Sequence, residues 1–226
     1  MIRELALDDG GMNLLSSATL RSIGDEVARL RGLAVSESTA PRPRDRETSQ
    51  LLVLRLTRAG GADMNEMQRF SAADAAEFAR LGQETFEAIE RLPFLTVAAI
   101  DGDCFGGALD LALAFDLRFA TARSRFSHPG AKLGIVTGFG GTTRWRKTLT
   151  PAAARRLFLA NAVLSAEEAQ AVGLVDVVGE PDVDALAALD VNVVRMIKEL
   201  SRHADRLSQR EVMLLAERLG ALYLAM

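Results

Sequence analysis

The 226 residues carry a formal net charge of −3, with hydrophobic side chains at 49% and charged ones at 25%. A chain of this size and balance builds one sizeable core, and its slight acidity excludes a general attraction to nucleic acid. One cysteine, Cys104, excludes an internal disulfide, and two histidines, His128 and His203, argue against a zinc site; no metal is expected.

Met1 to Leu5 shows no apolar run behind positive charge, and no stretch has the apolar length of a bilayer span. A cytoplasmic protein without a membrane partner is the expectation. Ile2, Leu5 and Leu7 alternate as in a strand that leaves through Asp8-Asp9-Gly10-Gly11. From Ser16 to about Leu33, Leu20, Ile23, Val27 and Leu30 recur at spacings of three and four, which predicts an amphipathic helix. Residues 36–49 are polar, hold two prolines and show no periodicity, so they read as a loop.

Leu51 to Leu56 is a buried strand candidate running into Gly60-Gly61-Ala62-Asp63. A long helix follows from Ala72 to Leu92, stopped at Pro93. Leu95 to Ile100 is a second apolar strand, Asp101 to Gly107 a turn, and a short helix leads to a third strand at Leu117 to Ala120. Pro151 to Ala160 and Ser165 to Val172 read as helices, the second with the Ser165/Glu168 spacing of a capping box. Leu174 to Val178 is a further strand, and the last forty or so residues are helical. Strands alternating with helices predict an α/β fold with a mostly parallel sheet, whose ligands sit where strands end and helices begin.

Two junctions of that kind are rich in glycine: Leu51 to Met67, with Gly60-Gly61-Ala62-Asp63 inside it, and Val97 to Ala120, with Gly102, Gly106 and Gly107. Glycine there lets the chain turn sharply and lets a ligand approach the backbone amides. Neither junction carries the Gly-Lys-Ser/Thr of a phosphate loop. Cys104, with no second cysteine or histidine nearby, reads as a small buried apolar residue.

Together these segments resemble the two oxyanion-hole motifs of the crotonase (enoyl-CoA hydratase/isomerase) superfamily. The resemblance runs from Met12-Asn-Leu-Leu15 through Phe126-Ser-His-Pro129 and Leu133-Gly-Ile-Val-Thr-Gly-Phe-Gly-Gly-Thr-Thr-Arg144 to Ala166-Glu-Glu-Ala-Gln-Ala-Val-Gly-Leu-Val175. It implies a crotonase-type fold of repeated ββα units, with a core over 1–180 and a C-terminal helical region over 181–226 that supports a homotrimer or a dimer of trimers. The partner it implies is an acyl-CoA, coenzyme A being part of the substrate and no separate cofactor being needed. The matching oxyanion donors are the N–H groups of Ala62 and Gly107, each worth about 3–4 kcal/mol on developing charge. Gly61, Ala62, Asp63, Met64 and Gly106 match the strip that lines the coenzyme A channel.

The acid/base pattern departs from the family. Its hydratases use two glutamates to activate and deliver water; the matching positions here are Asp110, one methylene shorter, and Gly130, which has no side chain. A placed proton-transfer group contributes about 10²–10⁴-fold, so ordinary hydration loses a participant. If 126–130 is extended, His128 shares a face with Gly130 and enters as a second proton-transfer candidate after Asp110. Asp8-Asp9 replaces the basic residue often found before the first motif, and Thr137 replaces the family's proline. The resemblance therefore implies a lyase or isomerase acting through a thioester enolate. The alternatives are a decarboxylase or thioester hydrolase variant, a non-catalytic acyl-CoA-binding homologue, or a scaffold that no longer binds coenzyme A.

Overall fold

The computed structural model describes residues 2–7, 12–37, 51–204 and 208–224. In chain order the first elements are β1 (Ile2–Leu7), β2 (Asn13–Leu15), α1 (Ser17–Glu37), β3 (Leu51–Ala62), α2 (Met64–Met67), α3 (Ala72–Glu90) and β4 (Leu95–Phe105). There follow α4 (Gly107–Ala112), β5 (Leu117–Ala120), β6 (Arg125–Ser127), α5 (Gly130–Leu133), α6 (Gly141–Thr148), α7 (Pro151–Phe158) and β7 (Leu164–Ser165). The chain closes with α8 (Ala166–Ala171), β8 (Val177–Val178), α9 (Val183–Ala187), α10 (Val191–Ala204) and α11 (Gln209–Leu224).

The sheet runs β1-β3-β4-β5-β8, all parallel, and β3 and β4 form its spine. Their first halves pair with β1 and β5, their second halves with β2 and β6. Between the halves the register breaks: Thr57 faces Asp101 but Ala59 faces Cys104, two steps on one strand against three on the other. Arg58 takes φ 46° and Gly102 φ 95° to make that break, which re-aims the strand ends.

Period-two alternation explains why these strands are apolar throughout. Leu52, Leu54 and Leu56 face a core shared with Leu20, Ile23 and Val27 of α1 and Phe78, Phe86 and Ile89 of α3. Leu51 and Val53 face a smaller cluster with Val97, Ala99 and Phe119, covered by Val183, Leu186 and Ala187 around α9. α3 starts at a capping box between Ser71 and Asp74 and turns Phe78, Gly82, Thr85, Phe86 and Ile89 inward. α10 is tied down by Lys198, whose ammonium donates to Asp116 at 2.6 Å and to the Phe94 carbonyl at 2.9 Å.

Several sequence expectations change. β3 and β4 do not stop at 56 and 100 but continue through the glycine-rich residues, because β2 and β6 supply ladder partners there. Asn13-Leu14-Leu15 is a short strand and not only a turn. Leu174 and Val175 are not strand: their amides return to the Ala169 carbonyl and close the end of α8, leaving β8 as two residues. α1 runs to Glu37, past the expected loop start at 36; residues 38–50 of that loop and the turn at 8–11 lie outside the described residues. The capping box of α8 forms as its spacing predicts.

Candidate active site

The ends of β3 and β4 meet at the two glycine-rich junctions. Gly61 sits at φ 91° and Gly106 at φ 56°, conformations open to glycine and strained for other residues. A methyl group built on Gly61 would lie 2.7 Å from the Phe105 carbonyl oxygen and 2.8 Å from the Gly107 nitrogen. One built on Gly107 would lie 3.3 Å from the Ala62 nitrogen. The two backbone segments that carry the Ala62 and Gly107 amides are thus in direct contact. Gly107 opens α4, so its N–H has no acceptor within the helix and lies at the positive end of the helix dipole. Gly106 is held from the other side, its N–H donating to the Ser127 carbonyl at 3.0 Å.

One turn into α4 is Asp110, with no solvent exposure. Three elements surround its carboxylate. Thr137 Oγ1 donates a hydrogen bond to Oδ2. The Cα of Gly141, first residue of α6, crowds the other oxygen so closely that a methyl group there would stand 1.8 Å from Oδ1. His128 Nε2 lies 3.4 Å from Oδ1, within ion-pair distance. The alignment misses hydrogen-bond geometry, so both facing atoms are sealed from solvent and unpartnered.

His128 follows β6 and is itself buried, its ring stacked on Phe158 at 4.5 Å between centroids and 25° between planes. The expectation that 126–130 is one extended run does not hold: the strand ends at Ser127, and Gly130 opens α5. The chain turns there because the Ile135 N–H returns to the Gly130 carbonyl and Gly134 takes a left-handed conformation. His128 and Gly130 are still neighbours. A methyl group on Gly130 would touch His128 Cε1 and Nδ1 at 3.2 Å and overlap the Ile135 carbonyl oxygen at 2.6 Å. The imidazole edge lies where a side chain at 130 would begin, and the backbone has no room for one.

The loop that presents Thr137 and Gly141 is pinned to α3. Gln83 donates to the Gly138 carbonyl at 2.6 Å, and Arg144 reaches the Phe139 carbonyl at 2.6 Å and Glu90 at 2.8 Å. Phe139 wedges its ring between the Cα atoms of Gly82 and Gly107 and makes edge contacts with Phe78 and Phe86. Thr137 is visible in the sequence only as a departure from a motif; its hydrogen bond to Asp110 is the feature sequence reasoning missed.

On the proposed coenzyme A strip, Asp63 is occupied by its own helix, accepting from the amides of Asn65 at 2.9 Å and Glu66 at 3.3 Å as the N-cap of α2. Met64 is exposed. Cys104 is fully buried, and its thiol is pushed up from its usual range by burial first and then by the nearby Asp110 and Asp103 carboxylates. The thiolate is the reactive form. Iodoacetamide is therefore expected to leave Cys104 unmodified at pH 8 in the folded protein and to label it fully in denaturant, read by mass spectrometry; rapid labelling of the native protein is the contrary result.

A bent, mostly parallel sheet with helices along its faces and paired glycine turns at the strand ends defines the crotonase type of fold. DspI of Pseudomonas aeruginosa superposes on it with a TM-score of 0.84 and 25% identity, over 100% of this chain and 93% of DspI. An enoyl-CoA hydratase of Bacillus anthracis superposes with a TM-score of 0.85 at 22% identity, over 100% and 88%. In sequence, residues 57–217 match the enoyl-CoA hydratase/isomerase family, and this chain belongs to that family. A crotonyl-CoA hydratase of Syntrophomonas wolfei is 36% identical over 177 residues, 76% of this chain and 62% of that protein. An enoyl-CoA isomerase/hydratase of Mycosarcoma maydis is 36% identical over 164 residues, 71% and 60%. The chain thus spans about three fifths of the length of those curated relatives.

Proposed function

We propose that this protein binds an acyl-CoA thioester and turns it over through an enolate whose oxygen is held by the N–H groups of Ala62 and Gly107. The observation that carries this reading is the contact between the Gly61 and Gly107 backbones, one helical turn from a buried carboxylate facing an imidazole. Two fixed donors of this kind stabilise charge as it develops on the thioester oxygen. Asp110 and His128 together form the acid/base element. Coenzyme A enters as part of the substrate along the Gly61 to Met64 strip and Gly106, and no separate cofactor or metal takes part. The names of the relatives, hydratases and isomerases of enoyl-CoA, favour a lyase or isomerase.

Gly130 supports a second reading, an acyl-CoA-binding homologue with little or no activity, since no acid can stand at that position. A decarboxylase or thioester hydrolase would need the oxyanion donors but only one proton-transfer element, and both belong in the same assay. Binding and turnover of crotonyl-CoA, a methylmalonyl-CoA and a saturated acyl-CoA separate these outcomes. Micromolar binding with turnover of at least one thioester is expected. Binding without turnover sinks the enzyme and favours the second reading; no binding at all sinks both.

A homotrimer or a dimer of trimers is the assembly we propose, supported by the exposed Ile197, Met213 and Leu214 on the C-terminal helices. No helix among the described residues is long and apolar enough to cross a membrane.

A further inference from the structure

The acid/base element contains an order that its composition alone does not reveal. Asp110 has no route to a ligand: it is fully buried, one oxygen is taken by Thr137, and the other is walled by the Gly141 backbone and His128. His128 presents two different edges. Nε2 is sealed and points at Asp110, whereas Nδ1 and Cε1 face Gly130, 3.2 Å from where a Cβ there would stand. A sealed carboxylate oxygen and a sealed imidazole nitrogen facing each other unpartnered are each unfavourable unless they pair, and catalytic hydrogen bonds are often long without ligand and tighten with it.

We infer that His128, through Nδ1, is the group that exchanges a proton with the acyl chain, and that Asp110 and Thr137 are its positioning residues. The inference rests on the proposed acyl-CoA enolate chemistry. Closing the present 3.4 Å gap between Nε2 and Asp110 Oδ1 into a hydrogen bond when the ligand is bound places the proton on Nε2 and leaves the Nδ1 lone pair as the base. Thr137 fixes the carboxylate by holding Oδ2, and Phe158 fixes the ring plane by stacking. In the step itself, Nδ1 takes the α-proton of the thioester. The C–H electron pair becomes the Cα–C1 double bond, and the carbonyl π pair moves onto the oxygen held by Ala62 and Gly107. The imidazolium that forms is stabilised by Asp110 and returns the proton to carbon. Atoms and charge balance with no other reactant. One imidazole thus does by turns what two carboxylates would divide.

The test is deuterium wash-in from D2O to but-3-enoyl-CoA, whose α-proton the vinyl group makes more acidic, followed by mass spectrometry. The wild type is expected to incorporate deuterium, and His128→Ala and His128→Gln to lose about 10²–10⁴-fold in rate. Added imidazole is expected to restore part of the rate to His128→Ala and none to Asp110→Asn. Asp110→Asn should fall by about 10–100-fold and Thr137→Val by about tenfold, both in kcat and not in KM, with Thr137→Ser close to the wild type. Thermal midpoints and binding of but-3-enoyl-CoA check that each variant is folded and keeps its channel. Wash-in by both His128 variants at the wild-type rate, with Asp110→Asn inactive, overturns the order and leaves the enolate reading intact. A wild-type rate in Thr137→Val removes Thr137 from the assembly. No wash-in by the wild type overturns the inference and counts against the enolate reading, which the thioester assay judges separately.

Discussion

Gly61→Ala is expected to abolish most of the thioester chemistry while also lowering stability. Its methyl group would stand 2.7 Å from the Phe105 oxygen and 2.8 Å from the Gly107 nitrogen, both backbone atoms that no rotamer change can move. The ends of β3 and β4 must part, and the two amides they carry part with them. The φ of 91° adds strain for alanine. Together the strain and the overlap are expected to remove about 2–5 kcal/mol of folding stability. Misaiming one donor is expected to lower kcat by about 10²–10³-fold with a smaller change in KM. Urea denaturation and the deuterium wash-in rate measure the two effects. Wild-type values of both would mean that the strand ends do not touch as described.

Gly141→Ala is the second large effect, and it separates rate from stability. Gly141 has an ordinary helical backbone, so alanine meets no conformational penalty there. Its methyl group instead falls 1.8 Å from Asp110 Oδ1 and 2.6 Å from Cγ. The carboxylate is on a short, fully buried side chain and can yield only by rotating away from Thr137 and His128. Stability is expected to fall by about 1–3 kcal/mol, as for an overpacked core site. The wash-in rate is expected to fall by about 10–100-fold, matching Asp110→Asn, because the same orienting contact is lost. Adding Gly141→Ala to Asp110→Asn should then lower the rate little further, since both remove one interaction. Additive losses would show that Asp110 is not the route by which Gly141 acts.

The parts of this architecture written in local sequence were legible there. The apolar runs of β3 and β4, the periodic faces of α1 and α3 and the Ser165/Glu168 box depend on residues within a few positions of one another, and each forms. Gly61 and Gly106 do take the positive φ that glycine in such junctions suggests, but β3 and β4 run on as strand through most of the residues expected to turn. What was not legible depends on partners far along the chain. β2 is three residues long and exists through β3, some forty-five residues later. α5 and α6 are short and carry weak periodic signals; tertiary contacts place them. The surroundings of Asp110 come from residues 128, 137 and 141, and no spacing rule ties a threonine to a carboxylate 27 positions earlier. His128 meets Gly130 by a turn, and the extended geometry that suggested the pairing is absent.

The Phe139 ring has a consequence for how this protein can change over generations. It lies against the backbone of Gly107 on one side and fills the notch left by Gly82 on the other. A larger residue at 82 ejects the ring toward the amides, and a smaller one at 139 leaves a hole in the helix packing. Helix and loop must therefore drift as a pair. A lineage that reshapes the space beside the Gly107 amide will carry its compensating change on α3.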